Sequence, residues 1–462
     1  MRSSLLLIFT LIVLAAYGQD LTPYSRYGLG FAADNNHAQS AQMGGLGAAF
    51  QSSESPNYLN PASYGAMVLT TFDAGFGGNF IRLKTNTMKA KQNNFALNYL
   101  SIFVPVKKYW VTGVGLLPVS VKDYFVTQTS ILDTNYSAQF EYEGSGNLYN
   151  AFWGNGFKYK GLYLGFNFGY MFGKLNNNTF TYLVDPSGSY DPYTNTAWSF
   201  SNVKIGSLTY NLGAQYRLDI KTKKDSSLYM VFGISGSSPL KVLKNSTIDN
   251  AAYAFSSTQL GYRSSDQGIN DFLTDYLIPK ASYSDIMDTL KEQFGAKASI
   301  KLPGHINFGV IAGKSNRWKA GFDFKYQFWS KYQGYESGAV SKLSNSFRIG
   351  LGGEYFPLGK GKTNFFKTLK YRAGFYYTRT NITIGNQSIN EFGTSFGIGI
   401  PLIIRVGNNE GLMEKYLVHP FNIGIEAGSR GTVRNNLIQE TFIRLKFGVS
   451  LNDRWFVKRK YY

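Results

Sequence analysis

The stretch Leu162-Tyr163-Leu164-Gly165-Phe166-Asn167-Phe168-Gly169-Tyr170-Met171-Phe172 decides the fold of this chain. Every second residue (Leu162, Leu164, Phe166, Phe168, Tyr170, Phe172) is bulky and apolar, while the partners include Gly165, Asn167 and Gly169. Successive side chains on a strand point to opposite faces, so the segment has one greasy face and one small or polar face. A soluble sandwich also alternates, but its strands are shorter and its outer faces carry more charge. Segments of about ten residues, aromatic-rich on one side and glycine-rich or polar on the other, are the signature of a barrel standing in lipid.

Outward from this stretch the pattern recurs without a linker over residues 70–451. A chain of 462 residues would normally divide into two or three domains; here one large closed sheet is expected. Alternation and turn residues place about fourteen strands, at 70–84, 94–105, 108–121, 147–159, 161–173, 205–219, 227–239, 304–313, 317–330, 346–356, 369–380, 390–402, 420–428 and 439–451. The expected fold is therefore all-β, a single transmembrane antiparallel β-barrel with an even strand count that returns both ends to the periplasm. Connection lengths follow the same parity. The periplasmic connections begin with short turns at 106–107, 160, 220–226 and 314–316, and lengthen at 357–368 and 403–419. The external ones include 122–146, 174–204 and 240–303.

The last strand shows which face is which. Ile443, Leu445, Phe447, Val449 and Leu451 form one side, Arg444, Lys446, Gly448 and Ser450 the other. A cation facing lipid at mid-depth costs about 2–4 kcal/mol, so Arg444 and Lys446 are expected to point into the lumen. The same reasoning puts Arg217, Asp323, Lys325, Arg348, Glu354, Arg372 and Glu426 inside. So many lumen charges of both signs suggest a networked interior and argue against an empty wide pore.

The N-terminus carries an address. Arg2 precedes an apolar stretch over residues 5–16, followed by Ala16-Tyr17-Gly18. Residues 1–18 read as a secretory signal peptide cleaved between Gly18 and Gln19. The stretch is too short for a spanning helix, and no later run reaches the roughly 20 apolar residues that one requires. The chain has no cysteine, which excludes disulfides, thiolate metal sites and a lipid-anchored start. Residues 19–69 do not alternate and are rich in Gly, Ala, Ser and Asn. They are too few to build a core of their own, so they are expected to plug the lumen as a hatch. Residues 452–462 form a basic periplasmic tail. The net charge of +19 could suggest nucleic acid, but the secretory signal argues against it. Lipopolysaccharide phosphates, anionic solutes or partner proteins are the expected counterparts.

The hatch contains Gln42-Met43-Gly44-Gly45-Leu46-Gly47-Ala48-Ala49-Phe50, then Asn60-Pro61-Ala62. Further on come Leu302-Pro303, residues 306–310 and 318–323, Trp329-Ser330, and residues 348–355, 371–377 and 392–401. In this ordered set the chain resembles the FadL-like outer-membrane transporters of long-chain fatty acids and other hydrophobic compounds. The match covers the hatch and the C-terminal half and is weaker over residues 85–300. The resemblance implies a fourteen-stranded barrel with a hatch built on Gly44, Gly45, Gly47, Asn60, Pro61 and Ala62. It also implies ligand capture at the third and fourth external loops and sideways exit at a kink in the third strand. Gly113, Gly115 and Pro118 are the kink candidates, since Pro cannot donate to a ladder and interior Gly weakens one. Arg26, Arg217 and Arg372 are candidates to pair a ligand carboxylate. The start of the hatch, Thr22-Pro23-Tyr24-Ser25-Arg26-Tyr27-Gly28, matches no ligand motif of the family.

Other motifs carry less. Gly393-Thr394-Ser395-Phe396-Gly397 fits the G-x-S-x-G spacing, but a nucleophile elbow needs a strand-to-helix turn and this one lies inside an alternating strand. His37, His305 and His419 are scattered without carboxylates at ligand spacing, so no metal site and no cofactor is expected. The chain is expected not to be an enzyme. Two functions compete. One is passive uptake of hydrophobic or amphipathic small molecules through the plugged outer-membrane barrel of a Gram-negative bacterium, with outer-membrane lipid and lipopolysaccharide around it. The other is a non-transporting structural or adaptor barrel, a subunit of an outer-membrane secretion or protein-assembly complex with a protein partner.

Overall fold

The computed structural model describes residues 22–33, 35–185, 196–220, 228–241, 247–255, 286–297, 300–334, 343–357, 364–406 and 415–455. The signal segment, its cleavage point and the last part of the basic tail lie outside the described residues. Much of the fourth external connection does so too.

Fourteen antiparallel strands form the barrel. They are β1 (Thr70–Lys84), β2 (Lys89–Lys107), β3 (Trp110–Ile131), β4 (Ser137–Tyr159), β5 (Leu162–Val184), β6 (Thr196–Ile220) and β7 (Leu228–Ser237). The second half is β8 (His305–Lys314), β9 (Trp318–Gln327), β10 (Ser346–Tyr355), β11 (Lys370–Ile384), β12 (Gln387–Val406), β13 (Lys415–Gly431) and β14 (Gln439–Asp453). Each pairs with its sequence neighbour, and β14 returns to β1 from Gln439 opposite Lys84 to Asp453 opposite Thr70. Every expected strand falls on one of these, in order and in the expected phase.

The phase is visible in exposure. On β5, Leu164, Phe168, Tyr170 and Phe172 stand on the outer surface, with Phe168 51% exposed, while Tyr163, Asn167 and Met171 are buried. In water a row of half-exposed aromatics would be a liability; in lipid it is the solvent-matched face. The inward phase of the whole barrel holds the polar residues and most of the strand glycines.

Several connections differ from the expectation, including 403–419, where β12 runs to Val406 and β13 starts at Lys415. Residues 122–146 and 174–204 are largely strand, because β3 runs to Ile131, β4 starts at Ser137, β5 runs to Val184 and β6 starts at Thr196. The true connections shrink to 132–136 and 185–195. A tilted strand of about 9–11 residues crosses the membrane, so β3 to β6, with 22 to 25 residues each, project well beyond it. Outside lipid both faces are solvated, so the ladder continues after the alternation has faded. The connection 240–303 likewise carries a hairpin, Thr247–Phe255 with Ile286–Lys297, whose first strand pairs with the projecting part of β6. The short turns, and both Thr70 and Asp453, lie at the opposite end.

Phe168→Arg should lower stability in vesicles by about 2–4 kcal/mol, as expected for a cation near the middle of the lipid face. Asn167→Ser, one residue away and facing inward, should cost much less. Urea unfolding of the two variants in the same vesicles distinguishes them.

Candidate functional site: the filled lumen and its chamber

Residues 22–69 lie against the inward faces of the strands. Their glycine-rich turn 42–50 is held through its backbone groups by wall side chains. Gly44, with φ +68°, donates its N–H to Ser395 Oγ at 3.1 Å, and its carbonyl accepts from Arg348 at 3.3 Å. Gly45, with φ +83°, sits beside the same guanidinium. The N–H groups of Gly47 and Ala48 converge on one Asp323 oxygen at 2.6 and 2.7 Å. This two-amide cradle for a carboxylate is the kind of nest that fixes a loop.

The barrel wall is shaped to receive this turn. A Cβ on Gly233 would stand 1.9 Å from the Ala48 carbonyl oxygen, and one on Gly374 would stand 2.0 Å from the Gly44 nitrogen. The lumen-facing glycines therefore give the inner segment its close approach, which explains why the face of β5 opposite the lipid carries Gly165.

Asn60-Pro61-Ala62 begins a short 3-10 helix, Pro61–Ala66. Asn60 caps it by accepting from Ala62 N–H at 3.1 Å, and its amide donates back to the Ala48 carbonyl at 2.6 Å. One side chain thereby ties the helix to the glycine turn. Below it, Tyr64 packs on Phe103, ring centres 4.3 Å apart. Tyr58 donates to Asp73 at 2.6 Å, and Asp73 also meets His37 at 3.2 Å and Ser450 at 2.6 Å. Burial, with the Asp73 charge beside it, pushes the Tyr58 phenol well above its ordinary range, so it stays a donor.

The sequence placed nine charged residues inside; of these Asp323, Arg348 and Arg372 bond the inner segment directly, and Glu354, Glu426, Arg444 and Lys446 join wall ion-pair sets. Arg372 binds Glu354 at 2.6 Å, Gln42 at 2.8 Å and Asn422 at 2.7 Å, and Lys319 joins Glu354 at 3.3 Å. Higher up, Arg444 bridges Glu426 at 2.7 Å and Glu391 at 3.2 Å, while Lys446 reaches Glu426 at 3.1 Å. Arg430, Glu391 and Glu440 complete the chain, with Arg430 2.7 Å from Glu391 and 2.8 Å from Glu440. Thr22 donates to Glu440, and Phe31 stacks on the Arg430 guanidinium at 3.7 Å. These three charges were missed by sequence reasoning, although their inward phase on β12, β13 and β14 could have revealed them.

The three candidate ligand arginines do not converge. Arg372 is 4% exposed and spent on Glu354, Gln42 and Asn422. Arg217 faces the opposite mouth, paired with Asp219 at 2.8 Å and stacked on Tyr229 at 4.2 Å. Arg26 stacks on Tyr142 at 3.9 Å, high on β4.

Above the glycine turn lies a chamber of about 860 Å³. Gly44, Gly45, Tyr58 and Leu59 contribute its floor, and its walls mix amides such as Asn211 and Asn307 with Leu117, Met171 and Phe347. Toward the long hairpins an apolar cluster closes over one side, joining Leu29, Leu148, Met171, Val203, Leu302 and Trp329.

Beside the chamber the barrel wall breaks. The β2–β3 ladder ends at Leu100 opposite Leu116, although β2 stays paired to β1 as far as Lys89 and β3 to β4 as far as Ile131. Pro118 sits at the break, where the register against β4 shifts between Pro118 and Ser120. Gly113 and Gly115 lie inside the intact ladder and make room for the rings of Phe103 and Phe152. Residues 22–33 occupy the free edge of β3: Phe31 and Ala32 pair with Val121 and Ser120, Thr22 N–H donates to the Asp123 carbonyl at 3.0 Å, and Ala33 N–H to that of Val119 at 2.9 Å.

The serine and histidines singled out in the sequence do not come together. Ser395 lies in β12 and accepts from Gly44; His37, His305 and His419 are each engaged separately, with Asp73, Ser237 and the Asn452 N–H. No group of His, Asp and Glu there could hold a metal ion.

This geometry defines a closed fourteen-stranded antiparallel β-barrel of the FadL-like fold. Similar solved structures bear that out. The toluene transporter TodX of Pseudomonas putida matches with a TM-score of 0.52 at 13% identity over 92% of this chain and 100% of its own. A FadL homologue of Pseudomonas aeruginosa matches at 0.50, 13%, 91% and 98%, and the toluene transporter TbuX of Ralstonia pickettii at 0.50, 12%, 91% and 99%. No curated protein matches in sequence. The BamG family model matches residues 1–462, so the chain belongs to the BamG family.

Arg372→Met should destabilise the barrel by about 3–5 kcal/mol, the usual cost of removing one partner of a buried pair. The expected accompaniment is protease cutting within residues 42–50, because Gln42 loses its anchor. Limited proteolysis in detergent reads this directly.

Proposed function

We propose that this chain is a non-transporting structural or adaptor barrel, a subunit of an outer-membrane secretion or protein-assembly complex. The observation that carries the reading is the immobilised lumen. The inner segment is bound through Asp323, Arg348, Arg372 and Asn60, and its glycine turn lies so close to the wall that a Cβ on Gly233 or Gly374 would collide with it. A gate for greasy solutes would have to break these buried hydrogen bonds, each of which leaves an unsatisfied group at about 1–3 kcal/mol. The BamG family carries a label distinct from the channels that share its fold.

A second reading has its own support. The ladder break beside Pro118 adjoins the chamber, as a sideways exit for a hydrophobic or amphipathic compound would require.

Purification of the tagged full-length chain from outer membranes in mild detergent should yield a stoichiometric protein partner. Cells lacking the chain should take up aromatic hydrocarbons and fatty acids at the normal rate. A solitary barrel together with an uptake defect would overturn the adaptor reading in favour of transport.

A further inference from the structure

The hairpin joining β1 to β2 places four cations on one face. Arg82 is directly opposite Lys91, and Lys84 is directly opposite Lys89. All four are exposed, and none pairs with a carboxylate among the described residues. On the other side of β1, Arg82 and Lys84 are opposite Thr441 and Gln439, which supply no negative charge.

Like charges directly across a ladder repel, and two such pairs stacked along one hairpin are a poor solution for an isolated protein. The turn itself does not need them, since Thr85 N–H closes it on the Met88 carbonyl at 2.9 Å.

Their position names the counterpart. Side chains alternate along β1, so Arg82 and Lys84 continue the outward phase of Phe80, which is 45% exposed on the lipid face. The cations therefore stand a few ångströms beyond the apolar band, on the side that faces lipid. The end is the one opposite the short turns, which is the external one in bacterial barrels. The same arrangement recurs further round. Lys174 is opposite Lys204, and the half-buried Thr247 links that pair to Lys297; the three lysines are exposed, and Lys174 lies two residues beyond the outward Phe172. A cation rim above the lipid band, repeated on separate hairpins, fits phosphate groups held at headgroup depth, where Arg binds bidentately and Lys as a point charge.

We propose that Arg82, Lys84, Lys89 and Lys91 form a binding site for the phosphates of an outer-leaflet glycolipid headgroup. Lys174, Lys204 and Lys297 form a second site of the same kind.

The test uses full-length protein in nanodiscs containing either bis-phosphorylated lipid A or its dephosphorylated counterpart, with retained lipid counted by mass spectrometry after detergent exchange. The wild type should retain the phosphorylated lipid and lose the other. The combined Arg82→Gln, Lys84→Gln, Lys89→Gln, Lys91→Gln variant should lose one retained lipid. Its heat-dependent gel mobility, which reports a folded barrel, should be unchanged. Lys174→Gln, Lys204→Gln and Lys297→Gln together should remove the second. Equal retention by the quadruple variant overturns the proposal, as does equal retention of dephosphorylated lipid. Displacement by inorganic phosphate alone would reduce the site to a simple ion site and overturn it too. So would an acidic protein bound to the wild-type hairpin in place of lipid.

Discussion

Lipid offers no hydrogen bonds, and everything else in this molecule follows from that. A strand edge left open in hydrocarbon would strand a row of N–H and C=O groups, so the sheet must close, and β14 pairs with β1 along its full length. Closure then sorts the side chains. One phase meets lipid and must be apolar; the other meets whatever fills the interior. A fourteen-stranded ring is too wide for its own inward side chains to fill, so the interior needs extra chain. The segment 22–69 supplies it, and the inward glycines of Gly165, Gly213, Gly233 and Gly374 are the complement of that filling, not a sign of weak strands.

The charges inside obey a second constraint. An ion taken out of water is costly unless it is paired and its remaining hydrogen-bonding capacity is met. The lumen charges meet this as two linked sets, one around Glu354 and one running from Lys446 through Glu426, Arg444, Glu391 and Arg430 to Glu440. Such sets add little net stability over an apolar filling, but they admit few alternative arrangements. Because Gln42, Thr22 and Phe31 of the inner segment are built into them, the position of that segment is set by the same geometry.

Much of this was legible in the sequence, and the reason is the period. Where one face meets lipid and the other does not, two-residue alternation is enforced, so Leu162 to Phe172 and the final strand could be read residue by residue. Where β3 to β6 leave the membrane, that enforcement stops, and residues 122–131 and 174–184 look like loop although they are paired. The site was less legible. Inward phase identified Asp323, Arg348 and Arg372, but their partners lie about 276 to 330 residues away in sequence, and only the closed fold brings Gly47 to Asp323 or Gln42 to Arg372. The cross-strand cation pairs needed the register of the hairpin, which the tight turn at 85–88 fixes and composition alone does not.

The break between β2 and β3 is where the closure rule is relaxed, and its treatment bears on what the barrel can do. Pro118 removes one donor and the shift to Ser120 turns the strand, so above Leu116 the edge of β3 parts from β2. That edge is not left bare. Thr22, Phe31, Ala32 and Ala33 satisfy it as a substitute strand, with Ser25 and Ser120 adding side-chain bonds at 2.8 Å. Withdrawing residues 22–33 to make a passage would expose both the β3 edge and the Arg430 cluster at once. A side opening that must dismantle a ladder and uncover buried charges is poorly suited to frequent gating. The same arrangement suits a barrel whose shape has to stay fixed while something else moves against it.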